Sequence, residues 1–238
     1  MPRRYVHDER AHNDRAASVI VPQLMSLFSP KSVLDVGCGI GTFLGTFRGL
    51  GIADVIGVDG DWVNRELLRK HMPLERFMAQ DLERPLDLRR RFDLAICLEV
   101  AEHLRESSSE TLITSLTTAS DVVVFSAAIP GQGGQNHVNE QPLSYWVERF
   151  RKRGFRFCDC LRPRFWGNRQ IDVWYRQNMV VFVKEGSHPH ISSSSDAMAD
   201  LVHPEYWEQR CALTQELLEA RAPIRTYVGL LLRRLRRA

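Results

Sequence analysis

An α/β fold with a doubly wound, mostly parallel sheet is predicted for this chain of 238 residues. Three observations predict it. Short apolar runs alternate with helical patterns between residues 30 and 127, the signature of successive βα units. The run Phe92–Leu98 is apolar on both faces, as a central parallel strand is. The first run, Val33-Leu34-Asp35-Val36, ends in three alternate glycines, Gly37, Gly39 and Gly41, directly before a helix opened by Thr42-Phe43-Leu44. That last pattern reads as strand, tight turn and helix amino terminus.

The elements follow in order. An amino-terminal helix is expected over His12–Phe28, with Ala16, Val19, Ile20, Leu24 and Leu27 at helical spacing and Pro30 as its stop. Ser32–Val36 is strand one, Thr42–Leu50 a helix, Val55–Val58 strand two, and Trp62–His71 a helix closed by Pro73. Arg76–Ala79 is a short third strand and Phe92–Leu98 the fourth. Ser107–Ala119 is a helix whose serines and Glu110 form a capping region, and Asp121–Ala127 is strand five. The pattern then changes. Ala128–Gln141 is a polar loop with Gly131, Gly133 and Gly134, and Leu143–Arg153 is a helix ended by Gly154. Phe155–Cys160 and Met179–Lys184 are strands joined by a long aromatic-rich connection. Residues 1–186 therefore form the main domain, with residues 187–203 a linker containing four consecutive serines and expected to be mobile. Residues 204–238 form a helical extension.

Composition bounds the function. The chain suits one sizeable domain with additions. A net charge of +3 is too small to imply nucleic acid. No run approaches the length needed to cross a bilayer, and Met1–Glu9 lacks a signal-peptide core. Five cysteines contain no CxxC pair, and Cys158-x-Cys160 is too close for a zinc knuckle. The expectation is reduced thiols in a cytoplasm and no metal.

The glycine turn points to a nucleotide-like ligand, because backbone N–H groups and the positive end of a helix dipole lie open to it. Asp59 ends the second strand 18 residues after Gly41. An acid at that distance is positioned for a ribose hydroxyl pair.

Val33–Phe43, Asp59, Gln80-Asp81-Leu82 and the run Phe92–Leu104, containing Glu99-Val100-Ala101-Glu102-His103-Leu104, together resemble the successive motifs of class I S-adenosylmethionine-dependent methyltransferases. The resemblance covers residues 30–185. It implies a seven-stranded sheet of order 3-2-1-4-5-7-6 with one antiparallel strand, and S-adenosyl-L-methionine as cofactor. It also implies roles. The backbone of Gly37, Cys38 and Gly39 lies along the methionine part and ribose. Asp35 holds the turn and meets the amino group through water, and Asp59 accepts both ribose hydroxyls. Trp62 packs on the adenine, Asp81 accepts the adenine amino group, and Leu82 donates a backbone N–H to the ring. Leu98 and Glu99 stand beside the sulfonium. A nicotinamide dehydrogenase competes, but its fingerprint is Gly-x-Gly-x-x-Gly, and it gives no role to Asp81 or Glu99–His103.

Methyl transfer is an in-line displacement, so the protein positions the acceptor and, where needed, removes its proton. His103, at the crevice mouth after strand four, is either a general base or a packing residue. His137 in the glycine-rich loop is a base, or caps the next helix. Asn139 and Glu140 offer an amide and a carboxylate to an acceptor. Tyr145, Trp146 and Tyr175, with Phe165, Trp166 and Trp174, are acceptor walls or core. Arg162, Arg164 and Arg169 hold an acidic acceptor group or are solvated surface. The expected reaction is methylation of a small-molecule or glycan acceptor at oxygen. The alternative is a non-catalytic cofactor-binding scaffold or partner subunit. Nucleic acid is disfavoured, since no Asn-Pro-Pro-Tyr-type run is present for a flipped base.

Residues 221–238 carry six arginines and no acid. On a helical wheel Ile224, Val228, Leu231 and Leu235 share a face opposite Arg225, Arg233, Arg236 and Arg237. Such a helix packs on the parent domain or a partner subunit, or lies on an anionic membrane surface; packing is the favoured reading.

Overall fold

The computed structural model describes residues 14–219 and 223–237. Its centre is a seven-stranded sheet: β1 Ser32–Val36, β2 Asp54–Asp59, β3 Phe77–Ala79, β4 Leu94–Leu98, β5 Val122–Ser126, β6 Phe155–Cys158 and β7 Val180–Lys184. The strand order is β3-β2-β1-β4-β5-β7-β6. β7 runs antiparallel to both β5 and β6, and every other pair is parallel. This is the order and the single reversed strand that the sequence implies. In β1, β4 and β5 the sequences VLDV, LAIC and VVVFS are buried throughout, because helices cover both faces.

On one face, α1 (Arg15–Phe28) and α2 (Thr42–Gly49) pack Ala17, Ile20, Leu24, Leu44 and Phe47 against Val33, Val55 and Ile96. On the other, α4 (Ser109–Ala119) and α5 (Leu143–Lys152) pack Leu112, Leu116, Trp146 and Phe150 against Leu34, Val123, Phe125 and Phe182. Phe150 and Phe182 stack with centroids 3.8 Å apart. Between β2 and β3 lies α3 (Arg65–Arg69), and between β6 and β7 lie α6 (Arg162–Phe165) and α7 (Val173–Asn178).

Three differences from the sequence-based expectation have local causes. The helix expected over Trp62–His71 shrinks to α3, since the Asn64 side chain accepts the N–H groups of Glu66 and Leu67 and starts the helix there. Residues 61–63 turn instead, and lay Trp62 on Gly60. The connection between the late strands is helical and held by buried arginines. Arg162, 1% exposed, bonds Asp159 through two nitrogens and the carbonyls of Met198 and Ala199. It is neither solvated nor open to an acceptor. The serine segment is tied down: Arg156 reaches the carbonyls of Ser187, His188 and Ile191, and Ser194 exchanges hydrogen bonds with Phe157 and Asp159. The start of the amino-terminal helix, His12 and Asn13, lies outside the described residues; α1 runs from Arg15 and ends in a left-handed Ser29.

The chain divides into two compact units at Leu201/Val202. The second contains α8 (Pro204–Leu218) and α9 (Ile224–Arg237). Ile224 and Val228 are exposed, while the Leu231, Leu235, Arg233, Arg236 and Arg237 side chains of the expected amphipathic face lie outside the described residues. No helix among the described residues is long and apolar enough to cross a membrane.

Candidate active site

The carboxyl ends of β1, β2 and β4 lie side by side, with Asp35 opposite Gly57 on one flank and Ile96 on the other. The glycine turn covers them. The N–H groups of Gly37 and Cys38 bond the Val58 carbonyl at 2.7 and 3.2 Å, closing the turn onto β2. Gly37 has φ +84°, and a Cβ there would lie 2.2 Å from Val100 Cγ2. Only glycine satisfies both demands, and the contact fixes the turn against the segment that follows β4.

Asp59, buried at the end of β2, accepts the N–H of Gly39 at 2.8 Å and of Gly60 at 2.6 Å. It thereby ties the glycine turn to the β2 terminus and sets a carboxylate at the floor of the crevice. Asp35 is buried nearby; burial, then the charge of Asp59, pushes its pKa well above the usual carboxylate range. The Trp62 indole lies over Gly60 and stays 42% exposed, an open aromatic face beside Asp59. Asp59 also accepts, through its carbonyl, the N–H of Gln80. This brings Asp81 to the same rim, where it is exposed and caps the N–H of Glu83. Leu82 packs into the second face of the core and Leu98 into the first.

A second group of side chains gathers where β4 ends. Glu99 is left-handed, φ +54°, with its N–H bonded to the Ser126 carbonyl and hydroxyl, both at 3.0 Å. Its carboxylate accepts Gln132 Nε2 at 2.8 Å and Asn178 Nδ2 at 3.1 Å. Burial raises its pKa, and those amides partly offset the rise. Tyr175 packs edge-on to Phe43, ring centroids 5.8 Å apart. Burial, then the charges of Glu99, Asp172 and Asp35, pushes its phenol far upward, so it stays neutral.

One turn on, His103 and His137 meet edge to face with ring centroids 4.9 Å apart. The loop carrying His137 is held by two devices. The Glu102 carbonyl accepts the N–H groups of Val138 and Asn139, and Glu140 accepts those of Gly131 and Gly133 at 2.8 and 2.7 Å. Glu140 also bonds His137 Nδ1 at 2.9 Å. Burial alone would raise the Glu140 pKa, but the bonds from His137, Gly131 and Gly133 outweigh it and hold the carboxyl below its usual range. Glu102 is fully buried and neither oxygen has a well-formed hydrogen bond. Burial, then the adjacent Glu99 charge, pushes its pKa well up.

A model of the methyltransferase domain family matches residues 7–158. The chain belongs to that family. Ubiquinone biosynthesis O-methyltransferases of Rhodopseudomonas palustris are similar to it. The protein of strain BisA53 is 30% identical over 88 residues, 36% of this chain and 34% of the relative. The protein of strain HaA2 is 33% identical over 87 residues, 34% of this chain and 33% of the relative. The chain thus spans about a third of the length of these curated relatives. Among solved structures, Streptomyces venezuelae DesVI superposes with TM-score 0.56 at 16% identity, over 76% of this chain and 100% of that one. Magnesium protoporphyrin IX methyltransferase (ChlM) from Synechocystis PCC 6803, with bound SAH, gives 0.55 at 19%, over 76% and 90%. These structures share the fold.

Within this methyltransferase fold, the sequence-based site residues sort into three places. Asp35, Gly37, Cys38, Gly39, Asp59, Trp62 and Asp81 lie along the carboxyl ends of β1, β2 and β3. Glu99, His103, His137, Glu140 and Tyr175 gather where β4 ends. Leu82 and Leu98 pack into the two faces of the core, and the last three are structural. Trp146 is 1% exposed and packs on Phe125 in the core. Tyr145 bonds Ser109 and lies under Arg149. Asn139 is buried, bonding Ala101 and Ser109 and accepting from Gln141. Arg149 over Tyr145 and Ser109 under its hydroxyl explain why that aromatic pair is scaffold. Three contributors carry no spacing signal of their own: Gln132, Asn178 and Glu102. Glu102 stands in the Glu99–Leu104 run, and only its depth in the fold marks it out.

Proposed function

We propose that this chain transfers the methyl group of S-adenosylmethionine to a hydroxyl oxygen of a small-molecule or glycan acceptor. The observation that carries the reading is the adjacency of two sites. The glycine turn with Asp59 is suited to a nucleoside, and Val100 packs that turn directly against the Glu99–His103 segment. In this reading Asp59 accepts the ribose hydroxyls, as buried carboxylates at parallel-strand ends do. Asp81 and the Leu82 N–H read the adenine edge, and Trp62 covers its face. Glu99 and the turn backbone of Gly37, Cys38 and Gly39 hold the methionine end.

The acceptor oxygen then attacks the methyl carbon in line, and the sulfonium leaves as a neutral thioether. The acceptor is activated at the His103–His137 pair. His137 has the arrangement of a general base: its Nδ1 is held by the ionised Glu140, which accepts only, so Nδ1 carries the proton and Nε2 the lone pair. O-methylation is also the activity named for the R. palustris relatives.

Calorimetric titration with S-adenosylhomocysteine tests the donor half, and labelled donor with cell extract tests the acceptor half. His137→Ala should lower turnover by about 10²- to 10⁴-fold, the usual contribution of a positioned base, with donor affinity unchanged. No binding of S-adenosylhomocysteine to the intact chain overturns the proposal.

A further inference from the structure

We propose that Glu102, His103 and His137 form a binding site for one divalent transition-metal ion at the mouth of the crevice. Each offers one ligand atom, and these atoms lie within 4.8 Å of one another. The rest of the case rests on what surrounds them.

The first observation is Glu102. Its carboxyl is 0% exposed, and neither oxygen has a well-formed hydrogen bond. The Ala128 N–H and the Glu99 carboxyl approach it without forming a well-aligned bond. Buried polar groups are almost always satisfied, so a carboxyl held this weakly has room for a further partner. A cation is the partner that suits a carboxylate flanked by two imidazoles.

The second is the support given to His137. Metal-binding histidines characteristically donate their other ring N–H to a carboxylate, which fixes the tautomer and raises ligand basicity. Glu140 does this to Nδ1 at 2.9 Å, and is itself fixed by the Gly131 and Gly133 amides. The Nε2 lone pair is left for a ligand. The loop also makes room for the ring: a Cβ at Gly134 would sit 2.2 Å from Nε2. A side chain there would push the imidazole out of the cluster.

The third is the donor set. Two imidazoles and one carboxylate suit zinc or ferrous iron better than magnesium or calcium, which prefer oxygen. Three protein ligands leave positions open for a substrate oxygen. Donors roughly 2.0–2.2 Å from one such ion lie about 3–3.5 Å from each other, inside the 4.8 Å that bounds these atoms, so small side-chain shifts complete the site. His103 and His137 are only partly buried, which leaves the ion a path from solvent.

The position gives the ion a task, and this part rests on the methyltransferase reading above. An acceptor hydroxyl bound to the ion loses its proton to water more readily than in solution. The oxygen then attacks the methyl carbon. The carbon–sulfur bond breaks with its electron pair on sulfur, giving the methyl ether and S-adenosylhomocysteine. An ion on Nε2 takes the lone pair that a base would use, so His137 would then act as a ligand rather than as a proton acceptor.

The experiment uses the full chain after dialysis against chelator. Cobalt(II) titration should produce visible d–d absorption bands and saturate near one ion per chain; zinc titration by calorimetry should give the same stoichiometry. Glu102→Gln and His137→Gln should each weaken binding at least 10-fold. S-adenosylhomocysteine affinity is measured on every sample. Unchanged donor binding in the variants shows that they are folded, and its absence from the wild type removes the methyltransferase reading without touching the metal site. A wild-type chain that takes up no cobalt or zinc, or variants that bind as wild type does, overturn the site. Full methyl transfer by the metal-depleted chain overturns the task and returns His137 to the role of base.

Discussion

The two halves of the crevice are built differently. The side proposed to hold the donor consists of backbone and strand ends: three glycines, the β2 terminus, and Asp59 accepting the N–H groups of Gly39 and Gly60. The side proposed to receive the acceptor consists of side chains gathered over long distances. Asn178 reaches back 79 positions to Glu99, and Gln132 reaches back 33. The first is rigid because the sheet is rigid. The second is held by a loop tied through Glu140 and the Glu102 carbonyl. A site assembled this way keeps the donor pocket constant while the acceptor pocket can be rebuilt by loop changes.

The comparison can be broken most directly at Asp59. Asp59→Ala removes the carboxylate proposed to accept two ribose hydroxyls and strips a partner from Gly39 and Gly60. Two hydrogen bonds to a charged group, each about 1.5 kcal/mol or more, correspond to a loss of donor affinity on the order of 100-fold. Calorimetry with S-adenosylhomocysteine measures it. An affinity within a few-fold of wild type would mean that the crevice does not hold the donor as argued.

The same difference explains what the sequence makes legible. Val33–Thr42, Asp59 and Phe92–Leu98 are local patterns whose periodicity and turn chemistry are readable one element at a time, and the sheet order is what their resemblance to the methyltransferase family implies. Trp146 and Tyr145 are not readable in that way. An aromatic in a helix can face a ligand or the core, and only the packing of α5 on Phe125 and Phe182 decides between them. Glu102 is the sharper case. It sits in a run already singled out, yet its meaning depends on total burial and on His137, 35 positions later in the chain, neither of which has a spacing signal. The serine segment misleads for the converse reason: its composition suits a mobile linker, but Arg156 of β6 supplies the bonds that fix it.

On the acceptor side, Glu140→Gln sharpens the contrast. The change leaves the side-chain shape and one carbonyl oxygen for the loop amides, but removes the charge that orients His137. Turnover should fall about 10-fold or more, the usual cost of losing such a supporting carboxylate, while donor affinity stays constant. Steady-state kinetics together with calorimetry separates the two quantities. A parallel fall in donor affinity would show that the two halves are coupled through the loop.

The smallest effect on binding is expected at Asp35, where donor pocket and stability pull in opposite directions. Burial, then the neighbouring Asp59 charge, holds its pKa well above the value of about 3.9 in an unfolded chain. Between those two values the folded state keeps a proton that the unfolded state has lost. Stability therefore falls as pH rises through that window, and Asp35 costs most where it is fully ionised. Asp35→Asn cannot ionise. Without donor, urea midpoints of variant and wild type should nearly coincide at about pH 4 and separate in favour of the variant at about pH 7.5. Donor affinity should move the other way and by only a few-fold, since the contact to the methionine amino group is proposed to run through water. A variant less stable than wild type at both pH values would mean that Asp35 is satisfied in the fold and is not a strained carboxylate kept for the ligand.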